Sequence, residues 1–209
     1  MKGYYLPMME SSRALDINEE TRQIILEAAF KRFGHYGYNK STMAEIADDV
    51  GMSAANLYRF FENKQEIAAS CANRCICERI DLLREAVRQP RLNAIDRLKS
   101  YVTTMLYHCH QAFSDDTKIN EVVAFITSER PDLIYQKAEA QQALIAEILA
   151  YGNETDVFDI PDVIATAQAV HATLIFFDVP MFMSLYSLEE FEKKANAVVQ
   201  LITQGLIKH

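Results

Sequence analysis

Glycine and proline are scarce in this 209-residue chain, 6 and 5 residues respectively, which excludes a low-complexity sequence. Cysteine is sparse as well: Cys71, Cys75, Cys77 and Cys109 are the four present. They would suffice for two disulfides. Yet residues 1–20 contain no basic segment followed by an apolar run, so no signal peptide is visible, and free thiols in a reducing cytoplasm are the expectation. A long uninterrupted apolar run is missing too. The best candidate, Val170–Tyr186, is cut by His171, Asp178 and Pro180, so no spanning helix and no membrane partner is expected. An excess of basic residues is also lacking: the net charge is −8, the opposite of the usual electrostatic footprint of a nucleic-acid binder.

What is present describes a folded protein. Half of the residues are hydrophobic and 24% are charged, which excludes a disordered chain. A chain this long can bury most of its apolar surface without disulfides or a metal, as one large domain or a small one joined to a larger one. The charge is unevenly spread. Residues 1–64 hold 8 Lys/Arg against 9 Asp/Glu, and residues 65–209 hold 13 against 20. The acidic C-terminal part would repel phosphate, so any DNA would be held at the N-terminal end by a small patch.

Apolar residues recur at three- and four-residue spacing almost throughout, which predicts an all-α fold; no strand pattern and no internal repeat is visible. Residues 1–18 lack clear periodicity and read as a flexible arm. A first helix carries Ile25, Ala28, Ala29 and Phe33 on one face and ends at Gly34–Gly37. A second begins after Thr42, a candidate N-cap with Glu45 three residues on, as a capping box requires. Gly51 stops that helix, and Ser53 caps a third running to about Phe61. A fourth starts near Asn63. Pro90 marks a change of region, followed by helices over about 92–109, 119–128, 131–150, 161–178 and 187–206. Gly152-Asn153 reads as a break between two of them, and Asp159-Ile160-Pro161 as a helix start.

Two short helices joined at a glycine and braced on both sides form a helix-turn-helix pattern, whose second helix can enter a major groove about 12 Å wide. The residues go further. The run Arg22-x-x-Ile25-Leu26-x-Ala28-Ala29 … Phe33-x-x-Tyr36-Gly37-Tyr38 … Ser41-Thr42-Met43-x-x-Ile46-Ala47-x-x-Val50-Gly51-Met52-Ser53-x-x-Asn56-Leu57-Tyr58-Arg59-Phe60-Phe61-x-x-Lys64-x-x-Ile67 resembles the DNA-binding domain of TetR-family transcriptional regulators over some forty-five residues.

That resemblance implies a DNA-binding domain over 19–65 and a ligand-binding and dimerisation domain over 66–209. Tyr58 and Lys64 would meet phosphates, and Ser41 and Thr42 would offer hydroxyls and helix-start amides to the backbone. Ser53, Ala54, Ala55, Asn56 and Arg59 lie on or near the base-facing part, where Asn56 suits adenine, Arg59 guanine and the alanines thymine methyls. The resemblance also implies a small-molecule effector in the C-terminal helices, with Tyr101, Met105, Phe113, Phe125, Tyr135, His171, Phe177 and Met181 as candidate lining. An aromatic and Met-rich lining suits a largely apolar effector, although the same residues at helical spacing also describe a plain core.

One reading head makes too few contacts for a selective site, so a homodimer on a palindromic double-stranded operator is expected, joined through the last two helices. Two stripes offer themselves there: Phe191, Ala195, Val199, Ile202 and Leu206, and Ala165, Ala169, Ala172 and Phe176. Each could equally face the subunit's own core. An alternative to an apolar effector is metal or redox sensing by Cys71 and Cys75, one turn apart, with Cys109. Against it, Cys77 lies about 200° round the helix from Cys75, unsuited to clamp the same ion. No nucleophile–base–orienter spacing and no glycine-rich phosphate loop is present, so neither catalysis nor a cofactor is expected. The whole reads as a cytoplasmic regulator, a repressor released from its operator by its effector.

Overall fold

The computed structural model describes residues 6–115 and 118–207, with side chains described outside 6–17 and 115. Among the described residues nine α-helices follow one another: α1 (Leu6–Tyr36), α2 (Met43–Asp49), α3 (Ala54–Leu57), α4 (Lys64–Val87), α5 (Ala94–Asp115), α6 (Ile119–Glu129), α7 (Pro131–Glu154), α8 (Val163–Leu174) and α9 (Leu188–Leu206). Two single-turn 3₁₀ helices, Ile175–Phe177 and Pro180–Phe182, link α8 to α9. Among the described residues the sole sheet-like pairing is an isolated bridge between Phe158 and Ile207. No helix among them is long and apolar enough to cross a membrane.

The apolar residues collect into two main cores. The N-terminal head packs Ile25, Ala29 and Phe33 of α1 against Ile46 and Ala47 of α2, Leu57 of α3, and Ile67, Ala68 and Cys71 of α4. The larger body packs Leu83 and Val87 of α4 with Leu98, Tyr101 and Leu106 of α5, Ile145 and Ile148 of α7, Leu174 of α8 and Phe191 of α9. Helix α4 is common to both, and the division expected at residue 65/66 falls inside its first turn. A small third cluster of Ala69, Ile126 and Leu133 fills the joint between head and body.

Several boundaries differ from the sequence expectation. The arm expected over 1–18 is helical from Leu6 onward, while residues 1–5 lie outside the described ones. Pro7 falls in the first turn of α1, where its missing N–H has no intrahelical partner to lose. Helix α7 runs through Gly152-Asn153 to Glu154 instead of breaking there. The glycine serves a close approach: a Cβ at Gly152 would lie 2.0 Å from Phe158 Cδ2. The next helix starts at Asp162, not Asp159, with the Asp162 carboxylate accepting from the Ala165 amide. The Asn153 side chain explains the delay, because it holds the Ile160 amide at 3.1 Å and carbonyl at 2.8 Å and keeps that residue out of the helix.

Candidate functional site

The reading head is shaped by caps. Thr42 Oγ1 accepts from the Glu45 amide while Glu45 Oε2 accepts from the Thr42 amide, which completes the capping box at the start of α2. At its other end Gly51 takes φ +70°, the Gly51 amide donates to Asp48 O and the Met52 amide to Ala47 O at 3.0 Å. That pair of bonds is a Schellman motif, and its left-handed residue favours glycine. Ser53 Oγ then accepts from the Asn56 amide and starts α3. The turn and both caps therefore fix the angle at which α3 leaves α2.

Helix α3 is shorter than expected and winds down through i→i−3 bonds from Arg59 to Asn56 and from Phe60 to Leu57. Leu57 and Phe61 are buried on the inner side, each worth roughly 2 kcal/mol in burial of apolar surface. Arg22 of α1 closes the end. Its guanidinium donates to the Phe60 carbonyl, lies over the Phe61 ring at 4.1 Å and pairs with Glu66 at 3.6 Å. Arg22 stands in the motif, yet nothing in its spacing reveals this bracing role. On the outer side Ser53, Ala55, Tyr58 and Arg59 are exposed, with Ala54 and Asn56 half-buried. The Tyr58 side chain is 53% exposed on a head where the other aromatics mostly point inward.

Two expected phosphate contacts sit differently. Ser41 is 2% exposed, and its hydroxyl donates to Gly37 O at 2.8 Å, so it fastens the turn instead of facing solvent. Lys64 is half-buried, with Nζ donating to Tyr38 O at 2.8 Å and Ser41 O at 2.9 Å and lying 4.4 Å from the Tyr38 ring centre. Burial pulls its pKa below the ordinary lysine value. Both residues hold the 37–42 turn, and the Lys64 charge lies directly behind Thr42. The Met43 and Ala44 amides at the start of α2 have no intrahelical acceptor.

That same turn is gripped from the body. Glu121 of α6 accepts from the Asn39 amide at 3.0 Å, and its carboxylate fills the space where a Cβ on Gly37 would fall, 2.7 Å from Oε1. Phe125, one turn further on α6, stacks on Tyr38 with ring centres 4.7 Å apart. Phe125 thus belongs to the head–body joint.

The other expected lining residues scatter. Tyr101, Met105 and Phe177 are buried together in the body core, His171 is half-buried beside Gln141, and Phe113 packs at the edge of the same core. Tyr135 and Met181 are 68% and 57% exposed. Two concave sites lie elsewhere: a groove of about 230 Å³ between α5 and α9 bordered by Val102, Leu106, Glu192 and Asn196, and one of about 630 Å³ between α1, α4 and α7 bordered by Gln23, Ser70, Arg74 and Gln136. In place of an apolar lining, the centre of the body holds a polar cluster that sequence reading missed. Asp178 is 6% exposed and takes Arg79 Nη1 on Oδ1 at 2.7 Å, and Gln141 Nε2 at 3.0 Å and Lys137 on Oδ2. Burial pushes the Asp178 carboxyl up, but Lys137 and Arg79 outweigh it and the net direction is down. The one sequence signal was Asp178 itself, a charge inside the longest apolar run.

The cysteines do not converge. Cys71 is buried in the head core with Sγ 3.4 Å from Leu26 O, whereas Cys109 is buried in the body core. Burial raises the Cys71 thiol to about 12 and the Cys109 thiol to about 11, and that of Cys75 also upward. Such thiols stay protonated, poor ligands and poor nucleophiles. Among the described residues no group of three or more His, Cys, Asp or Glu side chains could hold a metal.

Comparison with known proteins gives the same picture at family level. Residues 25–71 match the model for "Bacterial regulatory proteins, tetR family", and residues 94–199 match "Tetracyclin repressor-like, C-terminal domain". The chain is 29% identical over 119 residues to the HTH-type transcriptional repressor BepR of Brucella suis, covering 57% of this chain and 54% of that protein. It is 28% identical over 103 residues to the HTH-type transcriptional regulator BetI of Agrobacterium fabrum, covering 49% and 46%. The matched part thus spans about half the length of these curated relatives. A TetR-family regulator structure from Mesorhizobium loti superposes with a TM-score of 0.77 at 17% identity, over 91% of this chain and 98% of the other, a likeness of fold.

Proposed function

The chain belongs to the TetR family of bacterial regulatory proteins, and from that premise we propose that it is a repressor that binds a palindromic operator as a dimer and leaves it when a small effector occupies the body. The observation that carries this reading is the outer side of α3 and of the turn that ends it: a short helix, set at a fixed angle by the Schellman turn at Gly51, with Ala55, Tyr58 and Arg59 exposed to solvent. Tyr58 and the free amides at the start of α2 take phosphates, while Ala54, Ala55, Asn56 and Arg59 face base edges. Lys64 and Ser41 act one step back, by holding the turn that carries Thr42.

For the dimer, the surface of α8 and α9 supports one stripe and disfavours the other. Phe191, Ala195 and Val199 are 0%, 5% and 6% exposed and serve the subunit's own core. Ala165, Ala169 and Ala172 are exposed, beside Ile164 at 63% and Ile175 at 46%. On α9 Leu201 is 72% exposed, and nothing within 4 Å meets a Cβ built on Gly205. Small residues next to bare aliphatic ones let helices of a second copy approach closely. Release follows the joint at α6: whatever displaces α6 pulls Glu121 and Phe125, and with them the 37–42 turn.

Selection of bound duplexes from a random pool, then titration of the selected duplex at two salt concentrations, tests the reading. A palindromic winner with a steep salt slope is the expected result. Failure to enrich any sequence with folded, dimeric protein would overturn it.

A further inference from the structure

Two helices and a linker deliver polar groups to one point inside the body. Arg79 comes from α4, Lys137 and Gln141 from α7, and Asp178 from between the two 3₁₀ turns that follow α8. The Arg79, Lys137 and Asp178 side chains are 12%, 17% and 8% exposed. Two cations meet one carboxylate there, so the cluster carries an unmatched positive charge in surroundings largely shut off from water. A cluster that merely fastened helices together would need one cation, since a second buried charge adds a desolvation cost without a partner of its own.

A second observation points the same way. Tyr101 of α5 is 0% exposed, and its hydroxyl has no hydrogen-bond partner among the described residues, although it lies within electrostatic reach of both Asp178 and Arg79. A buried tyrosine hydroxyl normally finds a partner. Here the donor that lacks one stands beside the excess cation. The remaining neighbours leave the charge balance unchanged. His108 Nδ1 accepts from Arg79 Nε at 3.2 Å, so that imidazole is neutral. Gln141 gives its amide to Asp178 and turns its carbonyl to His171 Nε2 at 3.2 Å.

We propose that Arg79, Lys137 and the Tyr101 hydroxyl together recognise the carboxylate of a small organic acid, whose apolar portion lies against Met105 and Phe177. The charge count selects the class. A monoanion cancels the single excess positive charge, a dianion such as a phosphate monoester would leave a negative excess beside Asp178, and a cation meets repulsion. A carboxylate also matches the planar fork of Arg79, and it accepts from ammonium and phenol alike. Competing with Asp178 for Arg79, it loosens the tie between α4 and the 178–182 linker, whose Pro180–Phe182 turn packs on α5 and α6. The inference rests on the release reading above: the effector it describes is the one that reading requires, now an amphipathic acid instead of a largely apolar molecule.

The test uses the full chain with benzoate, phenylacetate, hexanoate and decanoate, each beside its uncharged amide, in calorimetric binding and in displacement from the selected duplex. At least one acid is expected to bind tenfold or more tighter than its amide. Tyr101→Phe is the informative variant, because the hydroxyl removed has no partner to lose. Its melting temperature should be unchanged or higher, and its affinity for the acid about tenfold lower. Lys137→Gln should lose acid binding to a similar or greater degree. Amides binding as tightly as acids, no acid binding at all, or both variants binding acid like the parent would each overturn the proposal. Acids that bind through these residues without displacing the duplex would support the site and remove the release reading. Amides alone displacing the duplex would do the reverse.

Discussion

At the scale of single residues, the same side chain can hold the site or be the site, and burial separates the two. Ser41 and Lys64 belong to the first kind, since their polar atoms are spent on Gly37, Tyr38 and the carbonyl of Ser41 itself. Tyr58, 53% exposed, belongs to the second in the function proposed above. Ser41→Ala should therefore cost about 1 kcal/mol of stability and leave the salt slope of duplex binding unchanged. Tyr58→Ala should leave stability within about 0.5 kcal/mol and weaken binding to all duplexes; chemical denaturation and anisotropy titration separate the outcomes. The histidines make a second prediction. Burial, aided for His108 by Arg79, holds both His108 and His171 below the ordinary value of 6.5. Between the folded and unfolded values the unfolded chain binds more protons, so stability is full above 6.5 and is lost as the pH falls through the folded values. Urea midpoints should drop between pH 6.5 and 5, and less so in the His108→Gln/His171→Gln double variant. An equally steep drop in that variant would remove the two imidazoles as its cause.

At the scale of elements, glycine marked turns in the sequence, but two glycines with the same signal do different work. Gly51 has φ +70° and open space beyond its Cα, so Gly51→Ala should cost only the left-handed strain, about 1–2 kcal/mol. Gly152 sits inside α7 under the Phe158 ring. Gly152→Ala should cost about 2–3 kcal/mol by overpacking, and Phe158→Leu should recover part of that loss, a coupling that a double-mutant cycle reads directly. The capping box expected at Thr42 is local, four residues long, and forms in the structure, as does a second at Ser187 that was not expected. The expected break at Gly152 does not form, because its cause lies six residues away at a ring that periodicity cannot place.

At the scale of the whole molecule, the head and body meet along α4 and again where α6 touches the 37–42 turn. Glu121→Ala is expected to keep duplex affinity within a few-fold of the parent while blunting effector-driven release, because it cuts one hold of the body on the head and leaves α3 untouched. Equal release in the variant and the parent would place the coupling elsewhere, with α4 the remaining connection. The proposed dimer has its own test. Leu201→Glu puts a charge on the barest aliphatic side chain of α9, and sedimentation should then show a monomer whose affinity for the palindrome falls at least tenfold.

The sequence alone determined the features set by near neighbours: nine helical segments in order, the Thr42 capping box, the glycine between α2 and α3, and the run from Arg22 to Ile67 that identifies the reading head. These are legible because helix periodicity, caps and turns depend on residues within a few positions of one another. Only the tertiary structure decided which side of each helix turned inward. It buried Ser41 and half-buried Lys64, sent Phe125 to the head–body joint, left Tyr135 and Met181 at the surface, and turned Phe191, Ala195 and Val199 to their own core. It also brought Arg79, Lys137 and Asp178 together from positions up to 99 residues apart. Burial and charge balance arise from contacts across the chain, and no local pattern in the sequence encodes them.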